Sequence, residues 1–111
     1  MASAILKLSE KDWQRRVIDC ARLFNWRYTH FRPAMTAKGW RTAMQGDKGF
    51  PDLVLVKPPR VIFAELKSDD GNLTADQLSW ISALNSSDVE CYVWRPQNWG
   101  DVFACLAKDA T

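Results

Sequence analysis

Apolar side chains near the start of the chain recur every three or four residues, between positions that are mostly polar. This spacing predicts a helix over residues 10–24, with its apolar stripe turned to the core. Ser9 suits the N-cap position, and Glu10 and Asp12 place negative charge in the first turn, where the helix dipole favours it. The stripe consists of Trp13, Val17, Cys20, Ala21 and Phe24.

Two more helices are predicted in the second half of the chain. Thr74 is followed three residues later by Gln77, the spacing of a capping box, and an apolar stripe of Leu78, Ile81 and Leu84 continues from there. We therefore expect a helix over residues 75–84. Residues 99–108 are amphipathic enough to form a terminal helix.

The segments between these helices favour strands. Residues 26–32 are rich in aromatic and β-favouring side chains, and residues 90–95 form a similar run that ends at Pro96. Residues 52–56 and 61–67, joined by the connection 57–60, predict a β-hairpin. Both hairpin strands are apolar on both faces, the pattern of central strands covered by helices on both sides.

The element order is one helix, three strands, a helix, a strand and a helix. It predicts an α/β (α+β) fold with a mixed sheet flanked by helices, an αβββαβ core followed by a C-terminal helix. A chain of 111 residues that is 47% hydrophobic suits one domain spanning residues 1–111. No run is long enough to span a membrane, so we expect a cytoplasmic protein.

The cysteines offer no structural framework of their own. Cys20, Cys91 and Cys105 are odd in number and lack the close spacing of metal knuckles, which predicts buried free thiols.

Positive charge is concentrated in the segment that follows Pro33, which has no clear periodicity and is expected to be a long loop. Loops of this length in a small domain are usually functional. Residues 32–49 contain four basic residues and a single acidic one, Asp47, whereas the net charge of the whole chain is only +2. A local basic patch of this kind fits contact with a polyanion such as DNA, although many solvated loops are also basic. The basic residues are Arg32, Lys38, Arg41 and Lys48.

The predicted hairpin brings three charged residues to one end of the sheet. If residues 57–60 form its connection, Asp52 lies directly opposite Glu65, with Cβ atoms about 4.5 to 5.5 Å apart. Two facing carboxylates destabilise a sheet unless a cation lies between them, and hard divalent cations prefer carboxylate oxygens. Lys67 follows Glu65 by two residues and therefore points to the same face.

These three residues suit the hydrolysis of a phosphodiester bond. Mg²⁺ held by Asp52, Glu65 and the backbone carbonyl of Leu66 would lower the pKa of an attacking water and neutralise charge in the transition state. Lys67 would stabilise that charge, or orient or deprotonate the water. Alone, each residue would more often be surface decoration. Together, on strands that are otherwise apolar, they indicate a catalytic centre.

Pro51-Asp52 followed by Glu65-Leu66-Lys67 resembles the PD-(D/E)XK nuclease signature. Within that superfamily the chain looks most like VRR-NUC domains, on the strength of Gly-Phe-Pro-Asp-Leu at 49–53, Ala-Glu-Leu-Lys-Ser at 64–68 and Leu-Thr-Ala-Asp-Gln at 73–77. The resemblance implies a restriction-endonuclease-like core and DNA cleavage that depends on Mg²⁺ or Mn²⁺. Stand-alone members of this size are similar to homodimeric Holliday junction resolvases, often encoded by bacterial viruses and acting in the host cytoplasm.

The resemblance adds two residues to the site. Glu10 matches an acidic position that faces the metal in related nucleases, and Gln77 matches a polar position on the helix after the catalytic strand. Each has an equally good structural explanation, Glu10 as a first-turn acid and Gln77 as a member of the capping box.

The function expected from these observations is metal-dependent cleavage of structured DNA, with four-way junctions as the favoured substrate and a homodimer as the acting form. Two alternatives stay open at this point. One is a nicking or flap-specific nuclease that acts on other DNA structures, and the other is a catalytically silent DNA-binding module. The facing carboxylates argue against the silent module, because they cost stability that a purely binding protein has no reason to give up.

Overall fold

The structure is a computed structural model that describes residues 7–31, 34–41 and 45–108, with the backbone alone at 34–36, 40 and 41. Three helices are present in these residues: α1 (Glu10–Leu23), α2 (Ala75–Asn85) and α3 (Trp99–Ala107). Six strands accompany them: β1 (Arg27–His30), β2 (Ala34–Thr36), β3 (Gly39–Arg41), β4 (Leu53–Lys57), β5 (Arg60–Leu66) and β6 (Glu90–Trp94). A short 3₁₀ turn, Pro96–Asn98, leads into α3.

The ends of α1 follow from local chemistry. The Ser9 side chain accepts a hydrogen bond from the Asp12 amide at 3.1 Å, as expected for an N-cap. At the other end, Asn25 adopts a left-handed conformation with φ 66°, and the Trp26 amide donates to the Ala21 carbonyl at 2.9 Å. Asn tolerates this conformation better than most residues, so the chain leaves the helix here. The helix ends one residue before the predicted boundary.

One mixed sheet carries the fold, in the order β1-β4-β5-β6. Strand β4 runs antiparallel to both β1 and β5, and β6 runs parallel to β5. Val56 pairs with Val61, as the sequence predicts, and Lys57 pairs with Arg60, so that only Pro58 and Pro59 form the turn. The peptide bond between these two prolines is cis. The predicted mixed α/β fold is confirmed, with a restriction-endonuclease-like arrangement of sheet and helices.

The segment after Pro33 differs from the expected loop. Residues 34–36 and 39–41 pair as an antiparallel hairpin, a second sheet of two strands, and Gly39 has φ 99°. Strands of three residues are too short to show alternation in the sequence, which is why this hairpin was not predicted. The strand predicted over residues 26–32 is also shorter, Arg27–His30.

The hydrophobic core lies on one face of the main sheet. There α1 and α3 cover β4 and β5, and the inward side chains of both strands are fully buried. These side chains are Leu53, Leu55, Ile62, Ala64 and Leu66.

The opposite face is covered only in part, whereas the sequence predicts that helices cover both faces. Val54, Val56, Val61 and Phe63 are half-buried on that face. Helix α2 contains no buried residue, and Leu78 of its predicted apolar stripe is 51% exposed. Part of the apolar surface of the central strands therefore stays accessible.

The end of the sheet near the Pro58–Pro59 turn is tied together by Arg60. Its guanidinium binds the Glu90 carboxylate through two hydrogen bonds of 2.9 and 2.7 Å and donates to the Cys105 carbonyl at 2.9 Å. The same group lies over the Trp26 ring, whose indole donates to the Leu106 carbonyl. This contact holds the C-terminal turn of α3 against the sheet, because lysine or arginine donors satisfy the carbonyls left unpaired at a helix end.

Two smaller expectations concern the cysteines and membranes. All three cysteines are free thiols; Cys20 and Cys91 are buried as predicted, whereas Cys105 is half-buried. Within the described part of the chain, no helix has the length and apolar character needed to cross a membrane.

Candidate active site

Asp52 and Glu65 meet at the end of the central hairpin that lies away from its turn. The last pair of the ladder is Leu53 with Ala64, so the register continues to Asp52 beside Glu65. The Asp52 carbonyl accepts a hydrogen bond from the Phe31 amide at 2.8 Å, which fixes its backbone against the end of β1. Its carboxylate accepts from the Leu66 amide at 3.4 Å. Hydrogen bonds from the ends of β1 and β5 thus hold both the backbone carbonyl and the carboxylate of Asp52.

Glu65 is the most unusual side chain of this group, because it is only 1% exposed. Its Oε1 atom is buried and has no hydrogen-bond partner among the described residues. The pKa of Glu65 is raised to about 9, first by burial and then by hydrogen bonding and charge repulsion from Asp52. Lys67 opposes this shift and Glu10 adds a smaller repulsion. A carboxyl group in such surroundings holds its proton at neutral pH unless positive charge is supplied.

Lys67 follows β5 and is held at its backbone by β6. Its amide donates to the Trp94 carbonyl at 3.1 Å, and its half-buried side chain is near enough to Glu65 to lower that residue's pKa. The turn that follows is secured by Arg95, whose Nη1 donates to the carbonyls of Ser68 at 2.7 Å and Gly71 at 2.6 Å. Sequence reasoning missed this role for Arg95, because no local pattern connects it to Ser68, 27 residues earlier.

Helix α1 reaches the same corner through Trp13. The fully buried Trp13 donates from its indole to the Trp94 carbonyl at 2.9 Å, the oxygen that also accepts from Lys67. Glu10 lies one turn earlier, exposed, and is close enough to raise the pKa of Glu65 by its charge. Over residues 7–31, 34–41 and 45–108, however, no three His, Cys, Asp or Glu side chains are grouped so as to hold a metal ion. Glu10 therefore does not complete a three-carboxylate cluster with Asp52 and Glu65.

The loop before Asp52 is packed onto the beginning of α2. Gly49 has φ 95°, and a Cβ built on it would lie 2.6 Å from the Gln77 amide nitrogen. No residue with a side chain fits so close to a helix backbone, so glycine is required here. Trp80 donates from its indole to the Asp47 carbonyl at 3.1 Å, and its ring packs edge-on against Phe50 with centroids 4.9 Å apart. These contacts fix the chain that leads into buried Pro51 and Asp52.

Gln77 is confirmed as a capping residue. Its side-chain oxygen accepts from the Thr74 amide at 2.9 Å, and its own amide donates to the Thr74 hydroxyl at 3.1 Å. It also lies next to Gly49, through its backbone. The side-chain oxygen is thus engaged in the capping box, and a direct part in chemistry stays a prediction.

The four basic residues predicted to bind DNA are described by the structure to different extents. Lys48 is exposed on the loop that precedes Gly49, and Lys38 is exposed in the turn between β2 and β3. Arg41 lies on β3, with only its backbone described, and Arg32 falls outside the described residues. Their contact with DNA stays a prediction.

The residues present fit a divalent cation. Asp52 and Glu65 supply carboxylate oxygens side by side, and the buried Oε1 atom of Glu65 lacks, among the described residues, the partner that a cation would provide. Mg²⁺ commonly uses one or two protein carboxylates and completes its coordination with water and phosphate oxygens, so a third carboxylate is not required. Leu66, on the strand between Glu65 and Lys67, would present its backbone carbonyl as a further ligand.

Comparison with known proteins finds a family match. The family model of the VRR-NUC domain matches residues 3–98, which cover α1, all six strands and α2. The match includes Asp52, Glu65 and Lys67. No curated protein and no solved structure gives a significant match.

The burial of Glu65 leads to a prediction for the metal-free protein. Glu65→Gln should unfold in EDTA at the same temperature as the parent chain or higher, because the substitution removes a buried ionisable group whose Oε1 atom has no hydrogen-bond partner among the described residues. Glu90→Gln is the matched control, a glutamate on the same sheet whose charge binds Arg60, and it should lose about 1 to 3 kcal/mol. Calorimetric melting measures both. A clear loss of stability in Glu65→Gln would contradict the description of Glu65 as an uncompensated buried acid.

Proposed function

Because this chain belongs to the VRR-NUC family of nuclease domains, we propose that it is a divalent-metal-dependent endonuclease that hydrolyses phosphodiester bonds in structured DNA. Four-way junctions are the proposed substrate. The observation that carries the metal dependence is the buried Glu65 carboxyl group, in contact with Asp52 and with one oxygen left unpartnered by the described residues.

Asp52 and Glu65, with the Leu66 carbonyl, would hold the cation. When bound, Mg²⁺ or Mn²⁺ supplies a Lewis acid that stabilises charge on the phosphodiester and promotes ionisation of water. The chain's own contribution is to keep the two carboxyl groups in place. Leu66 and Phe31 do this through their amide hydrogen bonds to Asp52, and burial of the Glu65 side chain keeps it away from bulk water.

Lys67 has a different role in this proposal. Its ammonium group lies near the carboxyl pair without being a metal ligand, so it can stabilise negative charge on the phosphoryl oxygens or orient and deprotonate the attacking water. The hydrogen bond between its amide and the Trp94 carbonyl fixes the point from which the side chain extends. The Arg95 contacts with Ser68 and Gly71 fix the following turn. Catalytic groups need such support to remain within reach of the reacting atoms.

DNA is proposed to approach across the basic segment. Lys48 projects from the loop that is fixed against α2 by Gly49 and Trp80, and this loop leads directly into Asp52. A phosphate bound there would be delivered to the carboxyl pair. Arg32, Lys38 and Arg41 extend the positive surface in our proposal, which accounts for binding through the DNA backbone and hence for little dependence on base sequence.

A junction substrate is favoured because its resolution requires two symmetry-related cuts. A chain of 111 residues offers little surface to grip a branched molecule alone, whereas two copies would provide two sites and twice the basic surface. A flap or nicked duplex requires only one cut. The preference between these DNA structures therefore distinguishes a resolvase from a nicking or flap-specific nuclease.

Loss of either carboxylate should abolish cleavage. In Mg²⁺, Asp52→Asn and Glu65→Gln should each lower the cleavage rate of a four-way junction by at least about 100-fold, because each removes a charge that the reaction centre requires. Asp88→Asn, at an exposed acid in the turn after α2, is the matched control and should cleave normally.

The same gel assay should include linear, nicked and flap DNA, and circular dichroism should show that each variant is folded. Equal cleavage by the parent chain and Glu65→Gln would contradict the assignment of the site. Faster cleavage of flap or nicked DNA than of the junction would favour the alternative nuclease.

The basic segment should govern affinity and its dependence on salt. Replacing Lys38, Arg41 and Lys48 together by Ala should flatten the log-log salt slope for duplex arms by about 2.7, since each lost phosphate contact removes about 0.9. The control replaces Arg27, Lys57 and Lys108, basic residues at the opposite end of the main sheet. Fluorescence anisotropy measures both slopes. If the two triple variants bind a four-way junction alike, the DNA-binding face lies elsewhere.

A further inference from the structure

Phe31 is the neighbour of Asp52 on the adjacent strand. The last pair between β1 and β4 is His30 with Leu53, and the Phe31 amide donates to the Asp52 carbonyl at 2.8 Å, so the register continues one residue beyond the strands. Residues paired in this way point to the same face of a sheet, with Cβ atoms about 4.5 to 5.5 Å apart. Since Asp52 in turn lies beside Glu65, these three residues form a row across three neighbouring strands.

The ring contacts of Phe31 agree with this placement. Phe31 packs nearly perpendicular to Phe50 with centroids 5.7 Å apart, and Phe50 packs in the same way against Phe63 at 5.9 Å. Phe63 precedes Glu65 by two residues on β5 and therefore shares its face of the sheet, the face opposite the hydrophobic core. The Phe31 ring thus lies on the same face as the carboxyl pair.

Phe31 is supported by this aromatic cluster and is nevertheless open to solvent. Phe50 also packs against Trp80 with centroids 4.9 Å apart, and Phe50, Phe63 and Trp80 are half-buried. Phe31, in contrast, is 42% exposed. The planes of Phe31 and Phe50 meet at 79°, so Phe50 covers at most one face of the Phe31 ring.

Exposure alone would mean little, because singly exposed apolar side chains are common on protein surfaces. The position of Phe31 is what distinguishes it. An aromatic face stands on a fixed support, directly across from a carboxylate that is proposed to hold the cation at the scissile phosphate. The ligand that meets this face is therefore expected to be part of the nucleotide being cut.

The part of a nucleotide that fits an exposed aromatic face is its base. Every nucleobase has a π-face, and stacking on a protein ring tolerates any base sequence. One sugar separates a base from its phosphate, so a phosphodiester at the carboxyl pair brings a flanking base within reach of Phe31. In a continuous duplex both faces of that base are covered by its neighbours, whereas an unpaired base leaves the stack at lower cost.

We propose that Phe31 is a stacking platform for an unpaired nucleobase that flanks the scissile phosphodiester. This inference rests on the proposed function and refines its substrate to DNA with an unpaired base beside the cut, as at a bulge or a branch point. Phe31 takes no part in the hydrolysis itself, so its contribution lies in selection among DNA structures. Because Phe50 already holds the ring, little freedom is lost when a base stacks on it.

Binding to an unpaired base tests this role. Two hairpin duplexes of the same sequence are compared, one fully paired and one with a single bulged 2-aminopurine, an adenine analogue whose fluorescence is quenched by stacking. The parent chain should quench the bulged base and should bind the bulged DNA more tightly than the paired DNA. Fluorescence anisotropy of end-labelled DNA measures the affinities in Ca²⁺, with a gel to show that the DNA stays uncut.

Substitution of Phe31 separates stacking from apolar contact. Phe31→Leu keeps apolar bulk but loses the aromatic face, so it should bind the bulged DNA at least about fivefold more weakly and quench it less, with unchanged affinity for paired DNA. Phe31→Tyr retains the ring and should behave like the parent. The matched control is Phe103→Leu, at a ring of similar exposure, 43%, that packs against Phe24 just after the end of α1 far from Glu10. It should bind both DNAs like the parent.

Circular dichroism should show unchanged folding in each variant. A parent chain without preference for bulged DNA would overturn the proposal, as would a Phe31→Leu variant that binds both DNAs like the parent or weakens both equally. Failure of Phe31→Tyr to retain binding would also overturn it, and so would altered sedimentation of Phe31→Leu without DNA, since the ring would then contact protein. These results leave the nuclease activity to the cleavage assay; only a parent chain that binds no DNA would overturn both proposals.

Discussion

The central physical constraint in this protein is the burial of the Glu65 carboxyl group beside that of Asp52. Glu65 is excluded from solvent, touches Asp52 and leaves an oxygen without a hydrogen bond from any described residue. Burying an ionisable group without a partner costs several kcal/mol in proteins of ordinary stability. Here the cost is lowered by keeping the proton on Glu65, whose pKa is raised to about 9. A site so arranged is poised for a cation, which would provide the missing partner and release the proton.

The two ends of the main sheet differ in how their polar groups are partnered. At the end that carries the carboxyl pair, the Trp94 carbonyl accepts from both Trp13 and Lys67, so that α1, β5 and β6 meet at one oxygen. At the opposite end, Arg60 binds Glu90 and the last turn of α3 through a paired charge. The paired charges of Arg60 and Glu90 thus lie at one end of the sheet, and the buried carboxyl group with an oxygen that no described residue partners lies at the other, where chemistry is proposed.

Much of the site could be predicted from the sequence because strand pairing is a matter of counting. Once the connection is placed at residues 57–60, antiparallel register brings Asp52 to Glu65, and period two brings Lys67 to the same side. The capping pairs of Ser9 with Asp12 and of Thr74 with Gln77 were equally accessible, since they depend on residues three positions apart.

The remaining features depend on contacts between residues far apart in the chain, which a local sequence pattern does not reveal. Arg95 reaches back 24 and 27 residues to the turn after Lys67, and Arg60 reaches forward 45 residues to Cys105. The β2–β3 hairpin is too short to show alternation, and the exposure of α2 depends on tertiary packing, which its own sequence does not record. The burial of Glu65 could not be predicted from its position either, because the end of a strand can be exposed to solvent or covered.

Binding of Mn²⁺ in the absence of DNA examines the carboxyl pair without any contribution from catalysis. Isothermal titration calorimetry of the parent chain should show a site that Lys67→Ala retains and that Asp52→Asn weakens at least about tenfold, because the proposal makes Asp52 a ligand and Lys67 a group outside the coordination sphere. Loss of binding in Lys67→Ala with normal folding would show that the amine was assigned the wrong role. A parent chain that binds no Mn²⁺, or an Asp52→Asn variant that binds it as tightly as the parent, would show that the buried pair is not a metal site.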